Sequence, residues 1–259
     1  MNKRTSLEIF KSVVLALFLR EVQTRFGTKK LGYFWAVFDA MFMVLIFAGL
    51  KSAISSKSMP GIDYPVYLAT SFLAFFLWRN IVMQSMNAFS ANKALFAYKQ
   101  VKPFDTIVTR VLLELLVSSV ATLIFIAIGL YIGLDINVKN FNMVMLAIVW
   151  LCTFAFGIGL MNAVFAYFYE SYVKIINVII TPLMYISAIM YSVDSLPPVL
   201  RKIILYNPLT HFMEMIHGYY FHPLTTQYVD YTYMLYWTLI PLWLGLFFYI
   251  RAEKRILSS

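Results

Sequence analysis

The chain has 259 residues, 61% of them apolar and only 13% charged, with a formal charge of +9. That charged share is about half of the ~25% usual in soluble domains. Four uncharged stretches, 140–169, 115–134, 175–193 and 231–250, exclude an ordinary soluble protein. Each is near or above the ~20 residues a helix needs to cross a ~30 Å hydrocarbon core. A β-barrel is disfavoured, because the ~10-residue strands of alternating polarity that build one are not found. Cys152, the lone cysteine, lies in the longest apolar stretch, with no partner for a disulfide or a CxxC pair.

Read in chain order, residues 1–32 form a cytoplasmic arm containing an interfacial helix over 6–25. Leu7, Phe10, Val13, Val14, Leu17 and Phe18 recur there at helical spacing, with Lys3, Arg4 and Lys11 close by. The arm is expected to be retained, since its apolar run 13–19 is short and is followed at once by Arg20 and Glu21. Six spans follow: 33–50 with Asp39, 64–88 with Arg79, then 104–134, 141–169, 173–192 and 231–250. A loop over 89–103 links spans two and three. A long segment, 193–230, precedes the last span, and 251–259 forms a tail. The fold class expected is an all-α polytopic membrane protein, a single transmembrane domain with re-entrant helices in its last outer loop.

Lysine and arginine set the orientation. Fifteen fall on the side of both termini and the 89–103 loop, among them Arg20, Arg25, Lys29, Lys30, Lys93, Lys99 and Lys102. Only Lys51, Lys57, Lys139, Arg201 and Lys202 fall on the other. The bias places both termini in the cytoplasm and requires an even number of spans. It also explains the net charge through anionic lipid rather than nucleic acid.

Within the 89–103 loop, Leu95, Phe96, Tyr98 and Val101 stand among Lys93, Lys99 and Lys102, and Pro103 closes the segment. An apolar cluster on a loop marks a contact, which is either a cytoplasmic partner or the lipid surface. The 193–230 segment holds short apolar runs bounded by Pro197, Pro198, Pro208 and Pro223. They are too short to cross and suit helices that cap a pathway. His211, Glu214 and His217 lie there at three-residue steps, which drift around a helix and lack the i, i+4 spacing of a zinc motif, so no metal is expected. Gly27 and Gly32 have the separation of a phosphate loop, but Tyr33 and Phe34 stand where its Lys and Ser/Thr belong. No hydrolytic engine is expected in the chain itself. Asp39 and Arg79 are charges inside spans, where they either pair with neighbours or line a conduit.

Three runs carry a family resemblance. Residues 17–27, Leu-Phe-Leu-Arg-Glu-Val-Gln-Thr-Arg-Phe-Gly, followed by Leu31-Gly32-Tyr33-Phe34-Trp35-Ala36, resemble the N-terminal signature of type-2 ABC exporter permeases. Within that family the chain is similar to the subunits that export capsular polysaccharide. Residues 92–99, Asn-Lys-Ala-Leu-Phe-Ala-Tyr-Lys, and 101–105 look like the family's coupling segment, and Asn207-Pro208-Leu209 resembles a motif of its outer loop. One departure is that Asp39 is followed by Ala40 where the family often has proline.

The resemblance implies a multi-pass permease of the bacterial inner membrane, working as a homodimer with a separate ATPase that carries the ATP and magnesium. Asn92, Lys93, Leu95, Phe96, Tyr98, Lys99 and Val101 would couple to that ATPase. Arg20, Arg25, Lys29, Lys30, Tyr33, Trp35, Asp39 and Arg79 would lie along the entrance or pathway of a lipid-linked polysaccharide. Asn207, Pro208, His211, Glu214 and His217 would form an outer gate, and periplasmic and outer-membrane export proteins are possible further partners. Two other readings stay open on the residues alone: an ion-coupled flippase using Asp39, and a membrane enzyme acting on lipid-linked sugars with His211, Glu214 and His217 as acid–base groups.

Overall fold

A computed structural model describes residues 5–24, 38, 41–50 and 61–258. The helices are α1 (Ser6–Val22), α2 (Met41–Leu50), α3 (Tyr64–Met86), α4 (Ala88–Asn92), α5 (Pro103–Tyr131), α6 (Phe141–Phe168), α7 (Glu170–Tyr185), α8 (Pro198–Ile204), α9 (Pro208–Tyr220) and α10 (Tyr231–Ser258). Among the described residues no strand occurs.

Local chemistry sets several of the ends. Thr5 and Glu8 form a reciprocal capping box at the start of α1, each side chain accepting the other's backbone N–H. Pro103 opens α5, where the missing amide costs nothing, and Asp105 accepts the Lys102 N–H at 2.9 Å. Asn140 caps α6 through Met143 N–H, and Asn207 caps α9 through Leu209 N–H.

Four described helices are long and apolar enough to cross a membrane: α3, α5, α6 and α10. The expected first span is described only in part, as α2. The expected fifth span, 173–192, is shorter than the hydropathy suggests. It is the 16-residue α7, which contains Pro182 and ends at Tyr185. At ~1.5 Å per residue it reaches about 24 Å, less than a hydrocarbon core of ~30 Å. The helix of the last span continues past 250 to Ser258. Arg251, Glu253, Lys254 and Arg255 are good helix formers, and Tyr249, Ala252 and Ile256 extend a buried stripe along it.

The bundle is centred on α3, which is buried on most sides. Phe72, Phe75 and Trp78 share a core with Phe154 of α6, the Trp78 ring lies on Phe154, and Phe154 stacks on Phe212 of α9 with ring centroids 5.1 Å apart. Lipid tails are as apolar as these rings, so close packing rather than the hydrophobic effect must hold the helices together. The α6–α10 crossing shows this most clearly. A Cβ on Gly157 would sit 2.7 Å from Leu242 N, and one on Gly245 would sit 2.9 Å from Gly157 O. The two backbones touch because neither position carries a side chain.

Candidate functional site

Two regions at opposite ends of the bundle gather the residues singled out from sequence. The first follows α3. Asn87 breaks the helix, α4 turns back, and a 3-10 turn over Lys93–Ala97 leads through Tyr98 to Pro103. The segment has two faces. Phe89 and Phe96 point inward and pack with Ile107, Leu160, Ala163, Tyr249 and Ile256. Lys93, Tyr98 and Lys99 point outward, with Tyr98 66% exposed against 7% for Phe96. Leu95 and Val101 are half-buried between them. Asn92 is buried. Its Nδ2 donates to Ala88 O at 2.9 Å, and its Oδ1 accepts from Arg20 of α1. The sequence pattern does not separate these faces, because a five-residue 3-10 turn follows neither helical nor strand periodicity. The outward set, an aromatic between two ammonium groups, presents apolar area and positive charge to whatever docks there.

The second region lies around α9. Residues 186–193 cross its start in an irregular turn in which Ala188, fully buried, adopts φ +55°. That conformation costs a non-glycine residue ~1–2 kcal/mol. Side chains hold it there. Tyr67 of α3 donates to Tyr191 O at 2.8 Å, Asn207 donates to Ile186 O and Ser187 Oγ, and Thr210 donates to Ile186 O. The Arg201 guanidinium gathers the carbonyls of Val193, Asp194 and Leu196, and it also bonds and stacks on Tyr228. Lys139 holds the end of α9 through Gly218 O and Leu224 O.

Both α9 histidines are tied into this framework. Asp230 N–H donates to His211 Nδ1 at 3.1 Å, which leaves Nε2 to donate to Leu205 O at 2.9 Å. Ser71 donates to Tyr67 O, so His217 Nε2 donates to Ser71 Oγ at 2.7 Å. Burial pushes the His217 imidazole down to about 3. Glu214 accepts from Val193 N–H at 3.2 Å. Burial, with Asp194 adding to it, pushes this carboxyl up to about 7, although the Val193 bond pulls the other way. The three groups are therefore structural fasteners of the α9 region rather than an acid–base set around one reacting atom. Pro208 sits at the first turn of α9 and contributes its fixed φ.

The Glu214 carboxyl has a consequence for pH. Its folded-state pKa lies above its ordinary 4.5, so ionisation opposes the fold. Protection is full below about 4.5 and is lost as pH rises through 7, by at most on the order of 3 kcal/mol. Limited proteolysis of residues 186–230 is expected to be faster at pH 8 than at pH 5. In Glu214→Gln that difference is expected to vanish; an unchanged pH response in the variant would assign it to another group.

Of the residues expected along a pathway, Arg79 lies in α3 with its guanidinium 4.4 Å from the Phe76 ring centroid and its Nε donating to Asn80. Arg20 is turned to Asn92. Arg25, Lys29, Lys30, Tyr33, Trp35 and Asp39 lie outside the described residues. Sequence reasoning passed over Tyr67, Ser71 and Arg201 as site residues. The i, i+4 pairing of Tyr67 and Ser71 in an apolar helix was an available signal, since buried hydroxyls need partners.

Comparison with known proteins decides the family. A family profile described as ABC-2 type transporter matches residues 12–221. The chain belongs to that family. Similar curated proteins include the polysialic acid transport protein KpsM of Escherichia coli, 34% identical over 256 residues that cover 99% of each chain. The capsule polysaccharide export inner-membrane protein CtrC of Neisseria meningitidis serogroup A is 29% identical over 252 residues, 97% of this chain and 95% of that one. The corresponding BexB of Haemophilus influenzae is 31% identical over 221 residues, 84% and 82% of the two. As an ABC-2 type membrane protein the chain is a transport subunit and not an enzyme. The two-faced segment after α3 and the fastened α9 region are thus parts of a transporter.

Proposed function

We propose that this chain is the permease of an ATP-driven exporter that carries a lipid-linked capsular polysaccharide across the bacterial inner membrane. The full-length likeness to transport proteins named for polysialic acid and capsule polysaccharide supports the cargo. The observation that carries the ATP-driven part is the outward face of Lys93, Tyr98 and Lys99 on a segment anchored by Phe89 and Phe96. A separate ATPase supplying ATP and magnesium would dock there and push on the bundle. The excess of cations at that end supports placing it, with both termini, in the cytoplasm.

A homodimer completes the reading. Among the residues of α7 only Ile180 is buried, while Ile175, Val178 and Ile179 are exposed and Asn177 interrupts the apolar surface. A second copy offers such a helix a packing partner that lipid does not, and the interface would flank the conduit. At the far end the α9 region would act as the outer gate, against which periplasmic and outer-membrane export proteins would receive the polymer.

Deletion of the chain from its native host tests the reading. Capsule is expected to disappear from the surface while lipid-linked polymer accumulates inside, and the wild-type chain is expected to restore export. Surface capsule at normal levels in the deletion strain would contradict the proposal. Export that continues after ATP depletion but stops with an uncoupler would replace it with ion coupling.

A further inference from the structure

We infer that Arg20 and Glu21 are positioning residues that transmit movement of the docking segment to the N-terminal helix, and so set how much export each ATP turnover yields. This rests on the exporter reading above. It concerns a contact on the buried side of the docking segment, at Asn92, and not the outward face that meets the ATPase.

Two consecutive charged residues at the end of α1 bridge it to two other elements, one of which reaches a third. Arg20 Nη2 donates to Asn92 Oδ1, the last residue of α4 before the 3-10 turn. Asn92 is only 2% exposed and is itself bound to Ala88 O, so its amide cannot swing aside without leaving α4. Glu21 Oε1 lies 3.3 Å from Arg110 Nη2 of α5, with side-chain exposures of 13% and 9%. The same guanidinium donates through Nη1 to Gln84 O at 2.8 Å, near the foot of α3. The charges form one chain from docking segment to α1 and on to α5 and α3.

The rest of the α1 attachment has a different character. Val13, Val14 and Leu17 are buried, and Phe18 and Val22 lie on Leu113 and Val117 of α5. Leu7, Leu15 and Leu19 are exposed. Apolar contacts of this kind are non-directional and let a helix slide along its neighbour. Buried charge-assisted bonds do not, because moving one partner leaves the other stranded. A buried ion pair is weak support for stability, since apolar residues of similar volume commonly replace it without loss, whereas register is what it can specify. Arg20 adds a second sign. Its Nε is buried with no hydrogen-bond partner among the described residues. The guanidinium is therefore held on Asn92 with one donor unmet, as fits a contact kept for position.

The test separates position from stability. Glu21→Leu combined with Arg110→Met replaces the pair by apolar side chains of similar length. In proteoliposomes holding the intact complex with its ATPase, ATP hydrolysis and polysaccharide export are measured together, alongside the melting temperature. The double variant is expected to keep bound ATPase, hydrolysis and melting temperature, while polymer exported per ATP falls about fivefold. Should it fail to reach the membrane, Glu21→Gln keeps an oxygen towards Arg110 without the charge and is expected to lower the same ratio about threefold. An unchanged ratio in a folded variant overturns the inference while leaving the exporter reading intact. Loss of folded protein in both variants also overturns it, because the residues would then be structural. A wild-type complex without ATP-dependent export would remove the exporter reading and this inference with it.

Discussion

Gly157→Val is expected to lower the melting temperature of the purified protein by about 10 °C, from a cost of about 3 kcal/mol or more. The new side chain would enter the space of the α10 backbone, since its Cβ alone would come within 2.7 Å of Leu242 N, 2.9 Å of Leu242 Cα and 3.1 Å of Pro241 C. A main chain cannot turn aside as the tip of a lysine can, so the helices must separate. Separation would also remove the facing contact at Gly245, which rests on Gly157 O. In a bilayer no hydrophobic force draws α6 and α10 back together, and the lost packing is not regained. Val at Met145 on the exposed face of α6 is the matched control and is expected to change little. Thermal scanning of the two variants in the same detergent checks this, and equal melting curves would contradict the packing account.

The second large effect concerns the docking segment. Tyr98→Asp is expected to reduce recovery of the ATPase with this chain about 30-fold, the equivalent of losing a hot spot of ~2 kcal/mol. It removes an exposed aromatic and places a carboxylate between Lys93 and Lys99, yet leaves the inward anchor untouched. Phe96→Asp, two residues earlier in the same segment, tests something else. Phe96 is buried against Ile107, Leu160 and Ile256, so a carboxylate there would be stranded and the segment itself would unfold. Its cost is expected to appear as less folded protein in the membrane, by loss of a buried aromatic at ~3–5 kcal/mol. Quantitative pull-down against membrane abundance distinguishes the two variants. Tyr98→Asp that retains its ATPase would move the docking face elsewhere.

The contrast between these two side chains indicates how far sequence reasoning reaches. Long uncharged runs located α5, α6 and α10, because the bilayer favours such runs in a helix that crosses it, whereas α3, which carries Arg79, is marked by a weaker hydropathy signal. The prolines bracket a helical stretch over 212–220 in the sequence, and the helix begins a turn earlier, at Pro208 with Asn207 as its cap. The docking segment was legible as an apolar loop among lysines, but which of Phe96 and Tyr98 faces inward depends on residues 107, 160 and 256, which no local pattern connects. The same holds for the polar fasteners. Ser71 meets His217 across 146 residues, and Glu21 meets Arg110 across 89. An acid in an apolar setting announces that it needs a partner, although not which one. Within the segment expected as span five, hydropathy counts apolar residues and does not register that the chain leaves the helix at Tyr185, after Pro182. The helix of the last span continues past 250, because the charges there mark the membrane boundary without ending the helix.

The central claim, that this chain is half of a permease driven by an ATPase seated on the Lys93–Lys99 face, is tested most directly by the mass of the intact complex. Gentle extraction from native membranes followed by native mass spectrometry would weigh it whole and identify its subunits. The account predicts two copies of this chain with a stoichiometric subunit carrying a phosphate-binding loop, and loss of that subunit alone from the Tyr98→Asp preparation. A chain that emerges by itself even after cross-linking would contradict it.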